Sequence, residues 1–243
     1  MADLNVSATQ NVTAHENAGQ NLIFNGDFES APSFTAATTT TARWIDGTAA
    51  GSTTADTWGW AMNNHTGTSQ IQFDSSVSHA GANSLKLSTL ATASRADAGI
   101  ATAVNAANIA KYGIPALAST TYTVSFFQQT TVSSGSSTSG MFLRALEYND
   151  LAVQQGSNHN SSAITATTSW TQRSISFTTT STTTFLYIQL SVTGTDGSAT
   201  LVADCWFDDI QVFPVSRISG VDIPLGPIVT PGIQSTIGPK IWS

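Results

Sequence analysis

Apolar and polar residues alternate along most of the second half of the chain. In the stretch Trp170–Thr178, Arg173, Ile175 and Phe177 alternate with small polar residues. Side chains of a β-strand point to opposite faces in turn, so this period of two predicts strands with one face towards a core. The pattern recurs in Thr121–Phe127 and Phe185–Val192, and Met141–Tyr148 and Leu201–Phe213 are expected to be further strands, with turn residues and no helical periodicity between them. These strands predict an all-β protein, a jelly-roll β-sandwich.

The first half of the chain carries shorter strand patterns. Asn21–Glu29 is expected to be a short strand closed by an Asn-Gly-Asp turn. Trp58–Met62, Gln70–Phe73 and Ser84–Ser88 are expected to be further strands. The alanine-rich residues 89–118 are the only candidate for one or two helical turns.

Composition supports the all-β class and excludes several functions. Ser and Thr make up more than a quarter of the chain, and Thr suits a pleated surface. Charged residues are only 9%, against about 25% in ordinary soluble proteins. The net charge is −7, and the eight Lys and Arg residues are scattered singly, which disfavours nucleic acid and anionic membranes as partners. No run of about 18 apolar residues occurs, so no membrane span is expected.

The two ends of the chain differ in composition from residues 21–213, which are expected to form the jelly roll. Residues 1–20 are polar and weakly patterned, and are expected to be an N-terminal arm. Residues 214–243 hold five of the seven prolines and are rich in Ile and Val. Because proline cannot continue a central strand, we expect an extended C-terminal arm. Its apolar side chains predict packing on another copy of the chain or on another subunit.

Sequence signatures of catalysis are missing. The chain has no Gly-x-Ser-x-Gly elbow, no phosphate-binding glycine loop, no His-Glu-x-x-His and no cysteine pair, so we expect no enzymatic activity. The four histidines are expected to be turn or surface residues. Glu147 and Asp150 are expected to form a solvated strand edge, and Cys205 to be a small buried residue.

Five segments stand in an informative order. They are Asn-Leu-Ile-Phe-Asn-Gly-Asp-Phe-Glu-Ser (21–30), His-Ala-Gly-Ala-Asn-Ser-Leu-Lys-Leu (79–87), Thr-Tyr-Thr-Val-Ser-Phe-Phe (121–127), Trp-Thr-Gln-Arg-Ser-Ile-Ser-Phe-Thr (170–178) and Phe-Asp-Asp-Ile-Gln-Val (207–212). In this order the segments resemble the carbohydrate-binding modules of families four and nine and their jelly-roll relatives, over residues 21–213. Each segment alone is a weak signal, and together they indicate the fold more specifically than the ligand.

The resemblance implies a structural calcium ion. In that family the first and last segments lie side by side, with calcium beside the His-Ala-Gly turn. Calcium prefers carboxylate and carbonyl oxygens, which Glu29, Asp208 or Asp209, and the 80–83 turn could supply. Alternation would place Asp208 with Trp206 and Asp209 with Phe207, unless a bulge at the acidic pair reverses the order.

The resemblance also implies a sugar site built from aromatic faces, amides and hydroxyls. The candidate residues are Trp58, Trp60, Phe127, Arg144, Tyr148, Tyr187 and Gln189, on condition that they point away from the core. Trp170 and Trp206 are assigned to the fold, because they lie within the structural segments of the family.

Two settings for such a domain remain open. The first is a structural or adhesive subunit of a bacteriophage-like particle, made in the host cytoplasm and located in the virion, with cell-surface or matrix glycans as partners. The N-terminus favours it, because no cationic stretch is followed there by an apolar secretion signal. The second is a binding module of a secreted, extracellular polysaccharide-degrading enzyme, for which a Pro/Thr/Ser linker would be expected in place of the apolar C-terminal arm. A hydrolase without a recognisable signature is a third, weaker alternative.

Overall fold

A computed structural model of the chain describes residues 21–29, 60–66, 69–91, 95–100, 106–134, 141–162, 167–193, 202–218 and 221–224. Twelve strands and one short helix are found in this part of the chain. The strands are β1 Ala61–Thr66, β2 Ser69–Asp74, β3 Ser84–Thr89, β4 Arg95–Gly99, β5 Ile114–Pro115, β6 Thr121–Ser134, β7 Met141–Tyr148, β8 Gln154–Asn160, β9 Thr167–Thr178, β10 Phe185–Thr193, β11 Val202–Ile218 and β12 Val221–Pro224. The helix, α1, is Ala106–Tyr112.

The strands form two antiparallel sheets that pack face to face. The first sheet has the order β1-β4-β10-β7-β8, with β5 paired to β10. The second has the order β2-β3-β11-β6-β9, with β12 paired to β11. Most neighbours in each sheet are distant in sequence, as expected for a jelly roll, and the all-β sandwich prediction is confirmed.

The core lies between the two sheets and is built by every second residue of their strands. Val124 and Phe126 of β6 face inwards from the second sheet, and Ile188 and Leu190 of β10 from the first; all four are fully buried. Burying one such side chain stabilises the fold by about 1.5–3 kcal/mol. Cys205 belongs to the same core, and burial raises the pKa of its thiol to about 12. Its prediction as a small buried residue is confirmed.

The segment 21–29 is not the expected strand but a series of turns that lies along β11. The Leu22 N–H donates to the Val212 carbonyl at 3.0 Å, and the Ile210 N–H donates to the Gly26 carbonyl at 2.8 Å. A Cβ on Gly26 would lie 2.2 Å from the Ile210 carbonyl oxygen, so only glycine permits this approach. The first and last sequence motifs are therefore neighbours, as the resemblance implied.

Four strands, β4, β5, β8 and β12, were not expected from the sequence, and several of the expected strands are longer than predicted. β4 is alanine-rich and β8 is wholly polar, so neither shows alternation between apolar and polar residues. β11 continues beyond the expected end at Phe213 to Ile218 and then pairs with β12. Pro214 is tolerated because β3 pairs with β11 only as far as Phe207. The expected helical turn within 89–118 is confirmed by α1.

Residues 1–20 and 225–243, which make up the N-terminal arm and most of the C-terminal arm, lie outside the described residues. Within the residues that are described, the helix is too short and too polar to span a bilayer.

A polar cluster covers part of the outer face of the second sheet. The Trp206 indole N–H donates to Asp74 Oδ2 at 2.8 Å, and Lys86 lies over the Trp206 ring, 4.8 Å from its centroid. Lys86 also pairs with Asp204 at 2.9 Å. Burial alone would raise the pKa of Asp74, but hydrogen bonds from Ser76 and Trp206 outweigh it, so the pKa lies below its ordinary value.

We predict that Asp74→Asn lowers the free energy of unfolding by about 1.5–3 kcal/mol at pH 7, the usual size for a hydrogen bond to a charged group. Because the folded pKa of Asp74 is lowered, the stabilisation is present above the ordinary pKa near 3.8 and is lost as pH falls through the folded value. The free energies of unfolding of variant and wild type, measured with urea, should therefore differ less at pH 3 than at pH 7.

Asp204→Asn is the matched control on the same face. Its ion pair with Lys86 is partly exposed, so we expect a loss of at most about 1 kcal/mol. An Asp74→Asn deficit that stays constant between the two pH values would contradict the lowered pKa.

Candidate functional site

The turn at residues 79–83 is held between carboxylates from the two ends of the domain. Glu29 Oε1 accepts the N–H groups of Ala82 and Asn83, both at 2.9 Å. Asp208 Oδ2 accepts the His79 N–H at 2.8 Å. Gly81 has a φ of +63°, and a Cβ there would lie 2.4 Å from the Glu29 carboxyl group. The sequence His-Ala-Gly thus fits the turn because its glycine accepts both the backbone angle and the close carboxylate.

A bulge in β11 separates the two acidic residues. Pairing with β6 shifts between Asp208 and Gln211, and Asp209 has a φ of 48°. Asp208 lies opposite Phe127 on the outer side of the sheet, whereas Ile210 returns to the core. The strict alternation, which would put Asp208 and Ile210 on one face, therefore breaks at Asp209, as the alternative with a bulge had allowed.

The His79 side chain joins the turn to the sheet beneath it. Its Nδ1 lies 2.6 Å from Asp209 Oδ2, and its ring stacks on Phe127 with centroids 3.5 Å apart. Trp170 meets the His79 ring edge to face at 5.7 Å. Phe127 therefore supports this turn on the second sheet, far in the topology from Arg144, Tyr148, Tyr187 and Gln189, which lie on the first.

Asp208 is the buried member of the acidic pair. Burial raises the pKa of its carboxyl group to about 6, although the N–H groups of His79, Asp209 and Ala80 favour the ionised form. Asp209 acts in the opposite direction, since a second negative charge disfavours ionisation. A nearby positive charge would therefore stabilise the ionised form of Asp208 further.

The donors around the turn fit calcium in type. Calcium takes six to eight oxygen ligands and accepts backbone carbonyls and water beside carboxylates. No group of three or more His, Cys, Asp and Glu side chains suited to a metal occurs among the residues that the structure describes. Glu29 and Asp208 would therefore be the protein carboxylates of such a site, and backbone carbonyls or water would complete it.

A second group of polar residues lies on the outer face of the first sheet. In the pairing of β10 with β7, Gln189 lies opposite Arg144 and Phe185 opposite Tyr148. Tyr187 lies two residues from Gln189, so it shares the same face. The Tyr187 and Tyr148 rings meet edge to face with centroids 6.5 Å apart. The structure thus brings four of the expected sugar-binding residues, Arg144, Tyr148, Tyr187 and Gln189, onto one face.

Asp97 of β4 completes this face, and the sequence analysis missed it. Its side chain is fully buried and accepts hydrogen bonds from Ser191 Oγ at 2.6 Å, Arg95 Nε at 2.6 Å and Gln189 Nε2 at 3.2 Å. Burial raises the pKa of Asp97, while the hydrogen bonds from Arg95 and Ser191 lower it in part. Only the pairing of β4 with β10 reveals this contact, because the two strands are about 90 residues apart in sequence.

Exposure of this face increases from β4 towards β8. Tyr187 is 1% exposed and Gln189 6%, so both are closed off from solvent. Arg144 is half-buried and donates from Nε to Asn160 Oδ1 at 2.9 Å, and Asn160 is exposed. Phe142 and Tyr148 of β7 are buried as well, so the accessible part of this face is Arg144 and the polar residues of β8. The Arg144 guanidinium rests 4.8 Å from the Phe142 ring centroid.

The remaining aromatic candidates lie elsewhere. Trp60 is fully buried, packs on Phe28 at 5.3 Å and donates its indole N–H to the Asn25 carbonyl at 2.9 Å. It is a core residue, so its assignment to an open sugar site was wrong: its ring fills the space above the 21–29 turns. Trp58 lies outside the described residues.

Glu147 is also not where the sequence suggested. It is 1% exposed, pairs with His159 Nε2 at 2.6 Å and accepts the Thr180 N–H at 2.7 Å and the Thr183 hydroxyl. His159 lies in β8 and stacks on Phe177 with centroids 4.2 Å apart. The expected solvated edge is therefore a buried cluster that ties β7 and β8 to the β9–β10 turn; only Asp150 is exposed.

Comparison with known proteins gives matches in structure but not in sequence. No protein-family model and no curated protein sequence matches the chain. A tailspike protein 4 enzymatically active domain from bacteriophage CBA120 is similar with a TM-score of 0.49 and 11% identity, over 80% of this chain and 21% of that chain. This chain thus spans about a fifth of the tailspike structure.

Two carbohydrate-binding modules are similar over most of their own length. A family 16 carbohydrate-binding module has a TM-score of 0.43 and 16% identity, over 79% of this chain and 99% of the module. The CBM22-1 xylan-binding domain from Paenibacillus barcinonensis Xyn10C has a TM-score of 0.41 and 12% identity, over 67% and 89%. The structures similar to this chain therefore include carbohydrate-binding modules of families 16 and 22, and the resemblance to families four and nine stays a prediction.

Proposed function

We propose that this chain is a non-catalytic glycan-binding domain whose ligand site lies along β7 and β8 on the outer face of the first sheet. The observation that carries the proposal is the row formed by the half-buried Arg144 and the exposed amides of Asn160 and Gln154, which borders the buried rings of Phe142 and Tyr148. Gln154 and Asn160 are exposed amides, and each pairs across the ladder with a β7 residue of this face.

The chemistry of this row suits a sugar. The guanidinium group donates to sugar hydroxyls, and the amides both donate to them and accept from them. The arginine is already oriented by its hydrogen bond to Asn160, which reduces the ordering cost of binding. Each contact is modest, so one domain should bind weakly, and several copies on one particle would raise the avidity.

We predict that Arg144→Met and Asn160→Ala each weaken binding of a soluble polysaccharide about tenfold, the equivalent of one hydrogen bond of about 1.4 kcal/mol. Native affinity electrophoresis against a panel of plant and bacterial polysaccharides measures the retention. Both positions are half-buried or exposed, so the melting temperature should stay nearly unchanged.

Lys86→Met and Gln172→Ala are the matched controls, because they remove a cation and an exposed amide from the opposite sheet. Both controls should retain wild-type binding. Wild type without affinity for any polysaccharide of the panel, or equal losses in controls and site variants, would refute the site.

Calcium at the 79–83 turn is our second proposal. The support for it is the placement of Glu29 and the buried Asp208 on two sides of one turn. When bound, calcium would neutralise these carboxylates and fix the turn against the 21–29 segment and β11.

We predict that a chelator lowers the melting temperature of wild type by roughly 5–10 °C, since a metal at a hundredfold excess over its Kd stabilises by about 2.7 kcal/mol. Glu29→Gln should abolish this difference, as measured by thermal unfolding with and without added calcium. If the carboxylates serve only the N–H groups of the turn, the chelator will have no effect and Glu29→Gln will still lower the melting temperature.

The setting that we propose is a structural or adhesive subunit of a phage-like particle, located in the virion. The support is the proline-rich, apolar sequence of residues 225–243, which is suited to packing on a partner and not to forming a core of its own. A module of a secreted polysaccharide-degrading enzyme is the alternative, for which a polar linker would be expected there.

We predict that removing residues 225–243 leaves a folded monomer, whereas the full chain forms larger assemblies. The cut follows Pro224 because β12 still pairs with β11 and should be kept. Light scattering after size-exclusion chromatography measures the mass, and thermal unfolding verifies the fold. Unchanged assembly of the shortened chain would exclude the arm as the contact.

A further inference from the structure

The inner face of the second sheet carries polar residues where a sandwich normally carries apolar ones. Thr171 and Arg173 of β9 lie opposite Gln128 and Phe126 of β6, so all four share the inward face. Gln128 and Thr130 are fully buried. Buried polar groups in a core are stable only when they are hydrogen-bonded.

The inward-facing polar residues Gln128, Thr130, Thr171 and Arg173 form a cluster. Two of its side-chain atoms have no partner among the residues that the structure describes. Gln128 Oε1 is a buried acceptor without a donor, and Arg173 Nε is a buried donor without an acceptor. Gln128 uses its Nε2 to donate to Thr130 at 3.2 Å, and Thr130 is 3.3 Å from the Cys205 sulfur. An unpaired buried polar atom costs about 1–3 kcal/mol, so the cluster is arranged at a cost to the fold.

The charge of Arg173 is also uncompensated within the described part of the chain. By contrast, Arg95 and Lys86 in the same part of the chain each form an ion pair with an aspartate. The nearby Cys205 thiol cannot serve as an anion, because burial raises its pKa to about 12. Arg173 is partly exposed, so solvent screens its charge in part, and an anionic ligand would compensate it further.

The cluster borders solvent at the β9 edge, although Gln128 Oε1 and Arg173 Nε are themselves buried. At one end of β9 the sandwich is closed, since His159 of β8 stacks on the buried Phe177. Further along the same inward face, Ile175, Arg173 and Thr171 are all partly exposed. Gln128 is fully buried beside them, so the cluster is closed at β6 and partly exposed at β9.

We propose that this cluster, formed by Gln128, Thr130, Thr171 and Arg173, binds the carboxylate and a neighbouring hydroxyl of an acidic sugar. The carboxylate accepts from Arg173 Nε and compensates the guanidinium charge. The hydroxyl donates to Gln128 Oε1, which a carboxylate alone cannot do. A neutral sugar would satisfy Gln128 but leave Arg173 without a counterion. The proposal concerns a site separate from the outer face of the first sheet and does not rest on that assignment.

The test is thermal unfolding and NMR titration of the full chain with glucuronate, glucose and lactate. Glucuronate should raise the melting temperature and shift the resonances of β6 and β9, whereas glucose, which lacks the carboxylate, should do neither at the same concentration. Lactate carries both groups without a sugar ring and should have a weaker effect. An equal response to lactate would overturn the assignment to a sugar.

Variants of Arg173 distinguish a loss of ligand binding from a loss of stability. Arg173→Met should abolish the glucuronate response while leaving the melting temperature unchanged or higher, since it removes an unpaired buried donor. Arg173→Lys keeps the charge but loses Nε, and should weaken the response at least tenfold. Lys86→Met, which removes a cation from the outer face, should respond like wild type.

A glucuronate response that persists in Arg173→Met, or a wild type without any response, would overturn the proposal. Resonance shifts confined to β7 and β8 would indicate that glucuronate binds at the first sheet, and they would also overturn the proposal. The failure of one site can thus be distinguished from the failure of the other.

Discussion

The fold and the carboxylate-held turn both depend on the pairing of the long strand β11. β11 is the central strand of the second sheet and pairs with β3 on one side and β6 on the other. Its bulge at Asp208 and Asp209 follows the last pair with β3, and there the turns of 21–29 take over that side of the strand through Leu22. A bulge re-aims side chains without ending the strand. It therefore lets Ile210 stay in the core while Asp208 holds the 79–83 turn.

The sequence predicted those strands that have one apolar and one polar face. β7 begins and ends where the alternation does, and β6, β9 and β10 differ from the expected ranges mainly by extensions of polar residues. β4 (Arg-Ala-Asp-Ala-Gly) was missed because alanine carries little hydrophobic contrast, and β8 because it is a polar edge strand. Neither can be recognised from periodicity, since partner strands and not its own residues specify each one.

The sequence could predict which candidate site residues share a face of one strand, because side chains two residues apart point to the same side. Tyr187 and Gln189 share a face because they are two residues apart, and pairing with Arg144 follows once β7 and β10 are neighbours. Trp60 could not be placed, since its burial depends on the turns of 21–29. Glu147 could not be placed either, because its partners lie in β8 and in the β9–β10 turn. Contacts between distant segments leave no periodic signal.

Asp97 on the first sheet and Arg173 on the second are charged residues whose hydrogen bonding differs. This difference distinguishes a structural group from a candidate ligand-binding group. Asp97 on the first sheet is fully buried, yet Arg95, Ser191 and Gln189 all donate to it, so its charge and its lone pairs are satisfied within the fold. Arg173 on the second sheet is only partly buried, but its Nε has no acceptor in the described residues. A satisfied buried charge fixes the fold, since breaking its pairing costs several kcal/mol, about 3–5 in measured cases. An unsatisfied one that borders solvent keeps its bonding capacity for a partner, which is why Arg173 and not Asp97 points to a ligand.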